Sequence, residues 1–269
     1  MADEMQRLAL KFGYNGSAFY GYQRQPGVRT VEGDIISACL GMHAFESAEG
    51  ADFASASRTD RGVHALGNVV AFNTHFNPDE LIDGLNAKCR NILFHSYLDV
   101  SATFSPRRAR MRQYRYLFYD NIDRERLNSA FSHFVGQRDF KNFSKSGSKG
   151  RYRSIDRILI SEGDGCLLID FYGRSFLHNM IRRVVAAAQA LANGLVEEDD
   201  VLRALNGEGS KSFGLAPPQY LILMDVDYGM TFRPVPLKGE SAVRWSESMN
   251  TSRALAVLEG MLAARGSMT

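Results

Sequence analysis

Arg58-Thr59-Asp60-Arg61-Gly62-Val63-His64-Ala65 sets one carboxylate between two guanidinium groups, after a short predicted strand and before a glycine. A guanidinium within ~4–6 Å keeps a carboxylate ionised, and its fork of N–H donors fixes the side chain's orientation. That arrangement suits a nucleophile, or a charge set opposite a developing cation. The same residues also fit a charged turn, in which Asp60 caps a backbone amide and Gly62 supplies a positive φ. On these eight residues alone the turn is the commoner outcome.

On the N-terminal side, Leu8, Leu10 and Phe12 alternate and predict a strand. The turn-rich segment Gly13–Gly27 follows, then a helix capped by Thr30, with Glu32 in its first turn and Val31, Ile35, Ile36, Cys39 and Leu40 on one apolar face. Short strands are expected near Phe53–Ser57 and Val69–Asn73. Asn77-Pro78 reads as a cap and first helical position, and Ile92–Val100 as a strand. On the C-terminal side the pattern predicts a strand at Gln113–Tyr119, a helix from Asp123 to Phe134 stopped by Gly136, and a hairpin of Ile155–Ile160 with Cys166–Phe171 through Glu162–Gly165. A long helix from Ser175 to Asn193 stopped by Gly194, a short helix Glu197–Leu205 and a strand Tyr220–Asp227 complete the series. The tail after Gly229 holds the sole tryptophan, Trp245, and ends in a predicted amphipathic helix capped at Thr251 with Leu255, Leu258 and Leu262 on one face.

Two further segments could carry chemistry. In Arg107-Arg108-Ala109-Arg110-Met111-Arg112-Gln113-Tyr114-Arg115-Tyr116, a strand would put Arg112, Tyr114 and Tyr116 on one face. Arginine pairs phosphates and an aromatic ring stacks an unpaired base; an edge strand with solvated arginines fits equally well. In Phe176-Leu177-His178-Asn179-Met180-Ile181-Arg182-Arg183, helical spacing would bring His178 and Arg182 to one face, though an ordinary polar helix face explains that too. Charge is unevenly spread. Ser101–Arg183 holds 17 Lys/Arg against 8 Asp/Glu, while the rest of the chain holds 15 against 22, giving +2 overall. A basic middle suggests an anionic partner.

The 269 residues and 45 % hydrophobic content suffice for one or two domains with a sizeable core. No apolar run reaches the ~20 residues of a membrane helix, and the polar, acidic Met1–Gln6 does not resemble a secretory signal. Cys39, Cys89 and Cys166 are scattered, which argues against a disulfide framework or a cysteine zinc site and for a reducing, cytoplasmic compartment. There is no GxxxxGK[ST] loop, no GxGxxG after a strand, no HExxH and no GxSxG.

Taken together, the motifs resemble the TruA family of tRNA pseudouridine synthases. Arg58–Ala65 matches its RTDxGVHA motif throughout. Gly16 with Tyr20–Gln25 matches its GxxYxGWQxQ loop, with Tyr22 in the tryptophan place. Tyr114-Arg115-Tyr116 matches its RYRY strand, Phe176–Arg182 its FLHNMVR helix, and Ala216–Leu223 resembles its closing APxxGLxL. The resemblance spans about Leu8 to Tyr228, and the FSPRRARMRQYRY wording resembles archaeal or eukaryotic-type members.

The resemblance implies an α+β pseudouridine synthase fold: two similar α/β halves, 1–106 and 107–229, with mainly antiparallel sheets around a central basic cleft, then a partly helical tail, 230–269. It implies uridine isomerisation at positions 38, 39 or 40 of the tRNA anticodon stem-loop by a homodimer, without metal or organic cofactor; positions 27 and 28 are the runner-up. Asp60 would be catalytic and Tyr114 would stack on the uracil. Arg58 and Arg182 would orient Asp60 or the extruded nucleotide, with His178 beside them. Tyr20, Gln23 and Arg24, with Arg107 and Arg108, would hold RNA. Two rival readings stand beside this one. An inactive RNA-binding module has no need of Asp60 and Tyr114 together. A glycosidic hydrolase usually shows two carboxylates ~5–10 Å apart, and the sequence offers one strong candidate.

Overall fold

A computed structural model describes residues 5–145, 151–163, 165–209 and 211–266. In chain order its elements are β1 (Gln6–Tyr14), α1 (Val31–Gly41), β2 (Ala54–Ser55), β3 (His64–Thr74), α2 (Pro78–Lys88), β4 (Ile92–Val100), β5 (Met111–Phe118), α3 (Arg124–Ser132), β6 (Gly136–Asp139), β7 (Tyr152–Ile155), β8 (Arg157–Gly163), β9 (Cys166–Gly173), α4 (Met180–Ala192), α5 (Glu198–Leu205), β10 (Leu221–Asp227), β11 (Arg233–Pro234) and α6 (Gly239–Gly266).

One sheet runs through the molecule in the order β11-β4-β1-β3-β10-β5-β9-β8, with β2 paired to β3. Every pairing in it is antiparallel except β3 with β10, which run parallel with Ile222 opposite His64 and Leu223 opposite Ala65. That single parallel seam joins an N-terminal half, β4-β1-β3, to a C-terminal half, β10-β5-β9-β8. Parallel neighbours start at the same end. The segments leading into β3 and β10, Arg58–Val63 and Ala216–Tyr220, therefore meet at one end of the seam.

Local chemistry sets the helix starts. Thr30 accepts from the Gly33 amide at 3.2 Å, with Glu32 and Asp34 in the first turn of α1. Asn77 accepts from the Asp79 amide at 3.0 Å ahead of Pro78, and Asp123 from the Arg126 amide at 2.9 Å. Each cap satisfies an amide that has no partner inside its helix. Strand β5 alternates as expected: Arg112, Tyr114, Tyr116 and Phe118 are buried, and the residues between them are half-buried. Strand β1 is buried on nearly every residue instead of alternating, because it is central and covered on both faces.

Besides β1, and β3, which starts at His64 and not near Val69, three further elements depart from the sequence expectation. Helix α4 begins at Met180, not Ser175, because Asn179 takes the left-handed conformation (φ 63°) and precludes a helical turn before it. The tail helix α6 is continuous from Gly239, so Thr251 lies in its middle and caps nothing. The run Glu240–Ser248 hides the start of a helix whose apolar stripe is sparse, and that run contains no Pro or Gly. Leu258 is exposed on α6, and the side chains of Leu255 and Leu262 lie outside the described residues. The third is the β6–β7 ribbon, too short and polar to show a period. The tail returns to the N-terminal half: β11 pairs with β4, and Arg244 on α6 donates to the Asn86 carbonyl on α2. Among the described residues no helix is long and apolar enough to cross a membrane.

Candidate active site

Asp60 sits in a tight turn closed by the Val63 amide donating to the Asp60 carbonyl at 3.2 Å. Gly62 has φ 84° there, and a Cβ on it would lie 3.1 Å from the Pro218 ring, so both conformation and space call for glycine. The turn is held from behind by the Gly13–Gly27 segment. Tyr14 hydroxyl meets the Thr59 hydroxyl at 2.8 Å, the Tyr22 amide donates to the Thr59 carbonyl at 3.1 Å, and the buried Tyr22 hydroxyl donates to Ser55 at 2.8 Å. A Cβ on Gly16 would fall 2.0 Å from the Val63 carbonyl oxygen, so this approach also requires glycine. The Gly16 amide donates to His64 Nδ1 at 3.1 Å, while His64 bonds the Gln219 backbone; burial first of all lowers its pKa and keeps it neutral. His64 thus ties the N-terminal loop to the segment before β10.

The partners of Asp60 come from the start of α4. Arg182 Nη1 donates to Oδ2 at 2.9 Å, and His178 Nε2 lies 3.0 Å from Oδ1. Arg182 is itself buried, its Nε donating to the Ala216 carbonyl at 2.7 Å while the Ala216 amide donates back to the Arg182 carbonyl at 3.1 Å. The two flanking arginines do otherwise. Arg58 donates to Gln23 at 3.3 Å, and Arg61 lies over the Tyr20 ring at 4.1 Å from its centroid. Neither is an ion-pair partner of Asp60. A turn points adjacent side chains apart, so sequence neighbours of the carboxylate cannot converge on it. Nor do His178 and Arg182 share a helix face. His178 precedes the helix, and both reach Asp60 because the left-handed Asn179 folds His178 back beside the first turn.

The structure brings Asp60, His178 and Arg182 together and assembles Arg58, Gln23, Arg61 and Tyr20 as an exposed rim next to them. Arg24 is exposed and contributes its backbone amide to Glu32 at 3.0 Å. Arg107 and Arg108 are exposed on the segment leading to β5. Tyr114 is buried, in T-shaped contact with Phe176 at 5.4 Å. Burial raises its pKa most, Arg112 and a bond to Ser57 lower it, and the Asp60 charge raises it again, so the hydroxyl is held as a neutral phenol. Among the described residues no group of three or more His, Cys, Asp or Glu could hold a metal ion.

Two residues of the site escaped the sequence reading. Asn179 is taken up below. The other is Arg112, which the strand pattern offered as a phosphate ligand. It is 7 % exposed, and its guanidinium donates to Ser57 Oγ at 2.9 Å, to the Ala56 carbonyl at 2.9 Å, to the Arg107 carbonyl at 3.2 Å and to the Arg174 carbonyl. Arg115, on the other face, is committed to Asp170 at 2.7 Å. Arg112 therefore clamps the approach to Asp60, the Arg107 segment and the residues before His178 to one point. We expect Arg112→Met to lower folding stability by about 2–4 kcal/mol, because it strands buried acceptors. Arg112→Lys should recover only part of this, since an ammonium cannot reproduce the fork. Urea unfolding of the two variants beside the wild type checks both.

The same chain is similar over most of its length to curated proteins. A family model described as tRNA pseudouridine synthase matches residues 130–229. The tRNA pseudouridine synthase A of Thermococcus kodakarensis is 41 % identical over 226 residues, 82 % of this chain and 85 % of the relative. That of Methanothermobacter thermautotrophicus is 37 % identical over 232 residues, 85 % and 84 % of the two chains. Both relatives are archaeal, in line with the wording of the Arg107–Tyr116 stretch. With that identity over that coverage, and with a mixed, largely antiparallel sheet carrying a buttressed aspartate at its seam, the chain belongs to the tRNA pseudouridine synthase family of isomerases.

Proposed function

We propose that this protein converts uridine to pseudouridine at positions 38, 39 or 40 of the tRNA anticodon stem-loop, with Asp60 as the catalytic carboxylate. The observation that carries the chemical part is the geometry of Asp60. It is one carboxylate with a buried arginine on one oxygen and an exposed histidine on the other, at the end of the seam where both halves meet. The target nucleotide has to leave its stack to be reached. The N1–C1′ bond breaks, the uracil turns in place, and C5 joins C1′; the C5 hydrogen leaves as a proton and N1 takes one up.

The residues divide this work. Arg182 is fixed by the Ala216 carbonyl and cannot leave Asp60 without breaking a second bond. His178 has a side chain 56 % exposed, so it is the donor an incoming nucleotide displaces, which frees Oδ1 for the reaction. Tyr114 offers a ring and a neutral hydroxyl beside the carboxylate. The rim of Arg58 with Gln23 and Arg61 with Tyr20, together with Arg24, Arg107 and Arg108, would meet the RNA backbone. We further propose a cytoplasmic homodimer, in which the second subunit extends the basic surface beyond one 30.0 kDa chain.

Support for the positions lies in the motif resemblance. Primer extension after carbodiimide treatment tests it, on tRNAs with uridines throughout the anticodon arm. Stops confined to 38–40 are the expected result; stops at 27 and 28 in their place would overturn the position assignment. Binding should be salt-sensitive, because phosphate contacts release counterions. Replacing both Arg107 and Arg108 with glutamine should reduce the slope of log K against log salt by about 1–2. An unchanged slope would place these arginines away from the RNA.

A further inference from the structure

Asn179 occupies the N-cap of α4, and its carbonyl accepts the first intrahelical bond from the Arg183 amide at 3.0 Å, yet its side chain does not cap. A capping residue normally has extended backbone, and its side-chain oxygen accepts from an amide of the first turn. Asn179 has φ 63° and ψ 4°, in the left-handed region, and its side chain makes no capping bond. Its amide faces Asp60. With the nitrogen toward the carboxylate, the orientation that avoids setting oxygen against oxygen, it donates to Oδ1 at 3.2 Å and to Oδ2 at shorter range. Outside glycine, asparagine is among the residues that best tolerate this backbone region. Non-glycine residues held there concentrate where a site needs a side chain aimed.

We propose that Asn179 is a positioning residue for Asp60: its left-handed backbone withdraws the amide from helix capping and commits it to both carboxylate oxygens. The inference rests on the reading of Asp60 as the catalytic carboxylate. Of the three groups on Asp60, Arg182 is anchored through Ala216 and His178 is exposed. Asn179 is the one that spans both oxygens, so it fixes the rotation of the carboxylate plane. When a nucleotide displaces His178, Asn179 and Arg182 together keep Oδ1 directed outward. Glycine at 179 would retain the backbone without strain and delete the amide. Aspartate would retain size and tolerance of the backbone but set an acceptor against an acceptor.

The test uses full-length wild type, Asn179→Gly, Asn179→Asp and Asp60→Asn, with an unmodified tRNA transcript. Single-turnover rate, tRNA Kd and thermal midpoint are read for each. Asn179→Gly should turn over about 10- to 100-fold more slowly, the cost of a hydrogen bond to a charged group, with Kd within twofold of wild type. Asn179→Asp should be slower still. Wild-type rates in either variant would overturn the proposal, as would a loss confined to Kd, which would place Asn179 on the RNA. If Asn179→Gly does not fold, the aspartate variant alone decides. Normal turnover by Asp60→Asn would overturn the underlying reading of Asp60 instead, so the two failures are distinct.

Discussion

Asp60→Asn will lose at least about 10³-fold in single-turnover rate while its tRNA Kd stays within a few-fold of wild type. The substitution keeps the size and planarity of the side chain but removes its charge. Arg182 and His178 sit on different oxygens, and the neutral amide keeps only one of them, so one donor retains its bond while the other meets an NH2 group. The turn around it depends on Gly62, Thr59 and the Val63 amide, none of which touches the carboxylate group, so the fold should persist. RNA affinity should rest on phosphate contacts spread over the rim and the Arg107–Arg108 segment, which the change leaves alone. Rapid-quench turnover and filter binding on one preparation separate the two quantities. A rate within tenfold of wild type would remove Asp60 from the chemistry.

Arg182→Met should be the second most damaging change, because Arg182 serves stability and chemistry at once. Its side chain is 10 % exposed, and its fork joins Asp60 to the Ala216 carbonyl, so the segment before β10 is strapped to α4 through it. Removing it strands the Ala216 acceptor and takes the buried cation from a carboxylate that is 18 % exposed. His178 and Asn179 still bond that carboxylate, so the stability loss should be about 2–4 kcal/mol, below the full cost of an uncompensated buried charge. Activity should fall about 10²–10³-fold, because Asp60 is then free to rotate. Arg182→Lys should lie between, retaining the charge but reaching only one of the two acceptors. Urea midpoints and single-turnover rates for both variants check this. If Lys matched Arg in both, the fork would have no role.

How much of this was readable without coordinates follows from the range of each interaction. The caps at Thr30 and Asn77, the stop at Gly194 and the positive φ of Gly62 are all local. Each is decided by residues within about four positions, and the sequence reading placed all of them. The burial of Arg112, Tyr114 and Tyr116 on one face of β5 was likewise legible from a period of two. What that face touches was not. Arg112 reads as a phosphate ligand until the chain brings Ala56, Ser57 and Arg174 around it, more than 50 residues away.

The partners of Asp60 show the same limit. Proximity in sequence nominates Arg58 and Arg61, but a turn sends neighbours in different directions; Arg182, 122 residues further along, and His178 are reached only through the motif resemblance. The parallel seam of β3 and β10 brings the Asp60 turn to the same end as Ala216, the residue that holds Arg182. Asn179 was hidden for a different reason. With the helix expected from Ser175, Asn179 reads as a residue inside it, and nothing in the letters marks a backbone turned left-handed toward a carboxylate. No proline or glycine lies between Ser175 and Asn179, so the letters carry the helix five residues too far toward the N-terminus.

The most direct test of the central claim, isomerisation at Asp60, is tritium release from tRNA carrying tritium at uracil C5. The wild type should release tritium to water without producing free uracil, and the tRNA should gain pseudouridine in matching amount. Asp60→Asn should release none. Free uracil in proportion to the tritium lost, or release by Asp60→Asn at the wild-type rate, would contradict the account.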